Sequence, residues 1–137
     1  MSGIYVRAGV GDEQYALAVE EVLEVTEIGQ LMPVPGAPSE VLGVRNLRGQ
    51  VIPVVDLGAL FGIGGETSER ERVIVVETHD GRLGLAVDAI VNVGEVKEPV
   101  EPADSERLAG AALIDGALVG IIDLDALLAD LAPAVSA

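Results

Sequence analysis

One half of this chain is a loose copy of the other. Tyr15-Ala-Leu-Ala-Val-Glu-Glu-Val-Leu-Glu-Val25 lies over Leu83-Gly-Leu-Ala-Val-Asp-Ala-Ile-Val-Asn-Val93 without a gap. Residues 41–60 lie over residues 108–127 in the same chain order, which sets Gly43 on Gly110, Gly49 on Gly116, Asp56 on Asp123 and Leu57 on Leu124. The matched glycines and aspartates are punctuation rather than bulk composition. Two related units within 137 residues are each small for an independent core. The expectation is therefore one domain, 1–137, made of subunits of about 1–61 and 72–131 that share a core, with an exchange of elements between them left open.

The apolar runs are short, rich in Val and Ile, and broken by Gly, Pro or Asp at intervals of about eight to twelve residues, the rhythm of an all-β chain. Strands are expected over 4–8, 14–19, 23–27, 42–47, 51–55, 72–78, 82–87, 91–96, 108–114 and 117–122. Asp80-Gly81 and Asp115-Gly116 sit between such runs and supply the positive φ that a two-residue hairpin demands. One helix is expected, over 123–131, with Asp123 as N-cap and Leu124, Leu127, Leu128 and Leu131 on one face. The fold class that follows is mainly β: two pseudo-repeated five-stranded barrels sharing a core, with a short C-terminal helix.

Charge and composition then remove function classes. A net charge of −15 repels phosphate backbones and anionic headgroups, which argues against nucleic acid or a membrane surface as partner. The absence of cysteine excludes a disulfide framework, thiolate metal sites and thiol chemistry, and a cytoplasmic address is expected. The longest uncharged stretch, 28–39, falls short of the roughly 20 apolar residues that span a bilayer, and prolines interrupt it. The first residues lack the basic start and apolar core of a signal peptide.

Catalytic candidates are few. His79, beside Asp80-Gly81, is a general base in principle, but no nearby Ser or second His assembles a triad, and a solvated turn residue is the favoured reading. A pocket converging on His79 with Glu77 and Asp80 would mark a small β-barrel enzyme or ligand binder. Glu20, Glu21, Glu24 and Glu27 read as a solvated face rather than a coordination loop. Gly9-Val-Gly11 fails as a dinucleotide fingerprint because Gln14 stands in place of the third glycine. Gly62-Ile-Gly64-Gly65, with no Lys-Ser/Thr behind it, reads as a flexible connection. Aromatic content of 2% removes the stacking platforms that single-stranded nucleic acid or sugar would use. No catalytic residue, cofactor or metal site is expected.

One position breaks the repeat. Where the second half has Asp115-Gly116, the first has Arg48-Gly49, and Arg is a poor choice at a hairpin position needing positive φ. In so acidic a chain, Arg45 and Arg48 form one of the few basic spots. A guanidinium there binds a partner carboxylate or braces one of the chain's own.

These segments resemble the CheW-type chemotaxis coupling proteins. The resemblance is carried by residues 15–25, by Met32-Pro-Val-Pro-Gly-Ala-Pro38, by Gly43-Val-Arg-Asn-Leu-Arg-Gly-Gln-Val-Ile-Pro-Val-Val-Asp-Leu57 and by Gly84-Leu-Ala-Val-Asp88, and it extends from about residue 4 to 131. It implies two intertwined barrels resembling SH3 domains. It also implies a non-enzymatic scaffold that ties the cytoplasmic tip of a chemoreceptor to the regulatory domain of a CheA-type histidine kinase. An adaptor of the same fold in a non-flagellar pathway, such as twitching motility or another kinase output, is the alternative. Carried over by position, Val22, Glu24 and Val25 resemble the partner-binding segment, and Gly43 and Arg48 match further coupling positions. Gly84, Ile90 and Val93 match positions near a groove between barrels where an apolar receptor hairpin tip would dock, while Gly43 and Gly84 also read as backbone-conformational. Two departures stand out: Gly58 replaces the Arg that often follows the Asp-Leu pair, and Val6-Arg-Ala-Gly9 lacks the usual aromatic.

Overall fold

The structure is a computed structural model describing residues 3–63, 70–79, 81–97, 101–103 and 105–129. Its first half supplies β1 (Gly3–Val10), β2 (Glu13–Ala18), β3 (Val22–Glu27), β4 (Val41–Leu47), β5 (Gln50–Asp56) and α1 (Leu57–Leu60). The second supplies β6 (Arg72–Thr78), β7 (Gly81–Val87), β8 (Ala89–Val96), β9 (Leu108–Ile114), β10 (Ala117–Ile122) and α2 (Leu124–Ala129). Every expected strand is present, with ends displaced by at most two residues. Asp80, Gly64, Gly65 and Leu131 lie outside the described residues.

Two short elements correct the sequence reading. A single 3-10 turn, Val19–Glu21, ends the strand expected over 14–19 one residue early. The second is α1, where a single helix had been expected. The Asp56 carboxylate caps it, accepting from the Gly58 N–H at 3.0 Å. Asp123 caps α2 in the same way, accepting from the Ala126 N–H at 3.2 Å. The alignment of Asp56-Leu57 with Asp123-Leu124 thus held the signal for α1, but one turn containing a glycine has too little periodicity to declare itself.

The halves exchange strands. One sheet, sheet A, runs β8-β1-β2-β10-β9, and the other, sheet B, runs β3-β6-β7-β5-β4. Each takes the first two strands of one half, β1 and β2 or β6 and β7, and the last three of the other, β8 to β10 or β3 to β5. Most neighbours are antiparallel, while β2 with β10 and β5 with β7 pair in parallel.

Central strands are buried on both faces, which explains their near-continuous apolar runs. In β6, Ile74 and Val76 join a core shared by both sheets, while Val73 and Val75 point into a core private to sheet B with Ile52, Val54 and Ala86. In β2, Tyr15 and Leu17 face the shared core, and Ala16 faces one private to sheet A with Val96, Ala112, Val119 and Ile121. Tyr15 stacks on Phe61, with ring centroids 4.4 Å apart, and burial pushes its hydroxyl pKa up to about 12, with Glu13 adding to the effect.

Candidate partner-binding surface

Both β4–β5 and β9–β10 close in two-residue turns with positive φ at each position: 55° and 83° at Arg48 and Gly49, 52° and 82° at Asp115 and Gly116. The Asn46 side chain accepts from the Gly49 N–H at 3.0 Å and steadies the first turn. Arg48 therefore sits in the disfavoured conformation the sequence implied. Its side chain is 79% exposed, and Nη2 lies 3.1 Å from Oε2 of Glu24. Arg45 on β4 donates to Thr26 Oγ1 at 3.4 Å and to the Glu27 carbonyl, both on β3. The edge strands of sheet B are thus clasped by two arginines from β4 and its turn.

The candidate residues fall into two groups. Glu24 and Arg48 are brought together, with Val25 and the bulged Leu23 exposed beside Glu24 on the β3 edge. Ile90 and Val93 lie on β8, the edge of the other sheet, at the positions the repeat matches to Val22 and Val25. Val93 is exposed, whereas Val22 and Ile90 are partly buried and pack on the shared core.

The two glycines have internal reasons to be glycine. Gly43 has φ 152°, and a Cβ there would come within 2.6 Å of the Met32 carbonyl oxygen. A Cβ at Gly84 would meet Val73 Cγ1 at 2.6 Å inside the sheet B core.

The remaining candidates do not converge. His79 is exposed, and Glu77 faces Arg82 at 3.7 Å. Glu24 is engaged by Arg48, and among the described residues no three His, Asp or Glu groups gather as a metal site. Burial raises the Glu21 carboxyl pKa; Asp125, Glu20 and Asp123 push the same way, against a lowering backbone hydrogen bond at Ala18.

Sequence reasoning expected the β9–β10 hairpin but missed the exposed apolar pair it carries. Leu113 and Leu118, cross-strand neighbours on β9 and β10, are 76% and 67% exposed. Beside them a cleft of about 430 Å³ is lined by Glu95, Val96, Lys97, Glu101, Leu113, Ile114 and Asp115. The signal lay in the repeat, where Leu113 replaces Asn46 at an outward-facing position. No described helix is long and apolar enough to cross a membrane.

The CheW-like domain family model matches residues 5–132. The chain is 34% identical over 125 residues to the chemotaxis protein CheW of Rhizobium meliloti (strain 1021), covering 85% of this chain and 81% of that protein. It is 32% identical over 114 residues to the protein FrzA of Myxococcus xanthus, covering 82% and 69%. The crystal structure of the scaffolding protein TtCheW from Thermoanaerobacter tengcongensis superposes with a TM-score of 0.83 at 33% identity, covering 93% of this chain and 88% of that one. With a duplicated, strand-exchanged β fold and these relatives, the chain belongs to the CheW-like domain family, the adaptor class of chemotaxis signalling.

Proposed function

We propose that the protein couples the cytoplasmic tip of a chemoreceptor to the regulatory domain of a CheA-type histidine kinase in the cytoplasm, and that it does so by binding alone. The observation that carries this reading is the pair of exposed hairpin faces on different sheets: Arg48 with Glu24, Leu23, Val25 and Val51 on sheet B, and Leu113 with Leu118 and Asp115 on sheet A. A scaffold needs separate surfaces for separate partners. Weak contacts, each smaller than the roughly 1,600 Å² of a standard interface, gain avidity when held in one array. Arg48 suits this role because an exposed ion pair contributes little stability and its guanidinium can exchange Glu24 for a partner carboxylate.

In a reconstituted receptor and kinase assay, Arg48→Ala is expected to lower kinase activation while leaving Tm nearly unchanged. Wild-type activation by that variant, or its general unfolding, returns Arg48 to a structural role. Val22→Glu and Val25→Glu separate the edge contacts in the same assay, since Val22 also packs on the core. A second reading, the same adaptor role in a non-flagellar chemosensory pathway, is favoured by the similarity to FrzA. Identification of the kinase retained by the protein distinguishes the two.

A further inference from the structure

The chain crosses from sheet B to sheet A at a single residue, Asp88, between the end of β7 and the start of β8. An ion network, buried at Arg70 and Asp56 and partly open at Asp88, is built on it. Arg70, 4% exposed, lies just ahead of β6, and its Nε donates to Asp56 Oδ1 at 2.8 Å while Nη1 donates to Asp88 Oδ1 at 2.6 Å. Asp56 ends β5 of sheet B and caps α1. The other oxygen of Asp88 accepts from the Gly11 N–H at 2.7 Å, in the β1–β2 turn of sheet A, and the Asp88 N–H donates to the Gly9 carbonyl at 2.9 Å. One guanidinium therefore ties the end of β5 to the point where the chain changes sheets, and that point is tied in turn to the opposite sheet.

Gly58 makes room for this network. A Cβ there would run into Arg70 Nη2 and come within 2.9 Å of Val10 Cγ1. The other crossover, from β2 to β3 through Val19–Glu21, differs. The repeat matches Glu20 to Asp88 and Asp123 to Asp56, yet among the described residues neither Glu20 nor Asp123 is engaged by a guanidinium. Among the described residues, this lock is seen at the Asp88 crossing.

We propose that Arg70, acting through Asp88, is a positioning residue that fixes the angle between the two sheets and so between the two partner-binding faces. Taking charges out of water is costly, and a buried ion network is weak support for a fold, but its directional hydrogen bonds define a single arrangement. Loss of the Asp88 carboxylate leaves Arg70 paired with Asp56 inside sheet B and removes the side-chain tie to Gly11 of sheet A, so that the backbone bond to Gly9 remains alone. The role in coupling rests on the proposed function, whereas the geometric claim does not.

The test uses the absence of native cysteine. Nitroxide labels at Val51→Cys and Leu113→Cys, one exposed position on each sheet, report the inter-sheet distance by pulsed electron paramagnetic resonance. Asp88→Ala is expected to broaden or shift a narrow wild-type distribution. Arg70→Lys, which keeps the charge but not the fork, is expected to do so less and serves if Asp88→Ala does not fold. Val119→Ala, in the private core of sheet A, is the control: a comparable fall in Tm with an unchanged distribution. In the functional arm, Asp88→Ala keeps each binary Kd within about twofold, as for distant independent sites, and loses activation of the assembled complex. Folded variants with wild-type distances overturn the proposal, as does equal broadening in Val119→Ala. Failure of the wild type to bind either partner overturns the coupling function and leaves the distance result to judge the joint.

Discussion

At the β4–β5 turn Arg48 and Gly49 have φ of 55° and 83°; at the β9–β10 turn Asp115 and Gly116 have 52° and 82°. The backbone is the same and the charge is reversed. The surroundings have diverged as well. Sheet B carries Arg45 on β4, clasping its other edge at Thr26 and Glu27, where sheet A has Ala112 at the matching register. Sheet A carries Arg7 on β1, opposite Ala16, where sheet B has Val75 opposite Gly84. Among the described residues the Arg7 guanidinium reaches only Asp115, at 3.5 Å, and its buried Nε has no partner; a cleft lies along the nearby edge. Duplication has conserved the turn geometry and the double-faced cores, while the charges at the two ends have become those of two different surfaces.

The sharpest way to break this comparison is to exchange the interior residues. Val75→Arg puts a guanidinium into a packed core where the cross-strand carboxylate, Glu24, is already held by Arg48, and a loss of about 3–5 kcal/mol is expected in urea unfolding. Little or no loss would mean the sheet B core is wetter than its packing implies. Next in size, Gly84→Ala makes sheet B match sheet A at Ala16. Its Cβ would meet Val73 Cγ1 at 2.6 Å and Val54 Cγ2 at 3.2 Å, and overpacking of this kind costs about 1–3 kcal/mol.

Arg7→Met works in the opposite direction. Replacing an incompletely bonded buried cation by an apolar side chain of similar length is expected to leave stability unchanged or raise it by about 1 kcal/mol. A large loss would show that the Asp115 pairing is stronger than its 3.5 Å separation indicates.

The smallest effect is a pH dependence at the β2–β3 crossover. Because the folded state raises the Glu21 pKa, it binds the proton more tightly than the unfolded state does. The penalty from Glu21 is therefore absent below the ordinary carboxyl range and appears as pH rises through the raised value. Glu21→Gln is expected to stabilise at neutral pH, with the difference fading on acidification. A difference that persists in acid would assign it to packing instead.

Much of this was legible because the chain punctuates its strands with Gly, Pro and Asp, and because each hairpin carries its own turn chemistry. Arg48 stood out for the same reason, as a residue that breaks a turn rule. The exchange of strands was left open by the repeat itself, which aligns identically whether its two copies pair within themselves or with each other; the family resemblance alone pointed to it. Leu113 and Leu118 were missed because outward leucines on a strand look like core leucines until the sheet's faces are known. Arg70 gave no sequence signal at all, since its partners Asp56 and Asp88 lie 14 and 18 positions away. The glycine at position 58, in place of the arginine often found in the family, becomes intelligible only with the Arg70 guanidinium lying over it.

The central claim is that one molecule holds two partners at once through faces on different sheets. Sedimentation of the protein with a receptor tip fragment and the kinase regulatory domain tests it most directly. A ternary complex containing one copy of each, with neither partner displacing the other, is the predicted result. Mutually exclusive binding, with only the two binary complexes seen at any ratio, would contradict it.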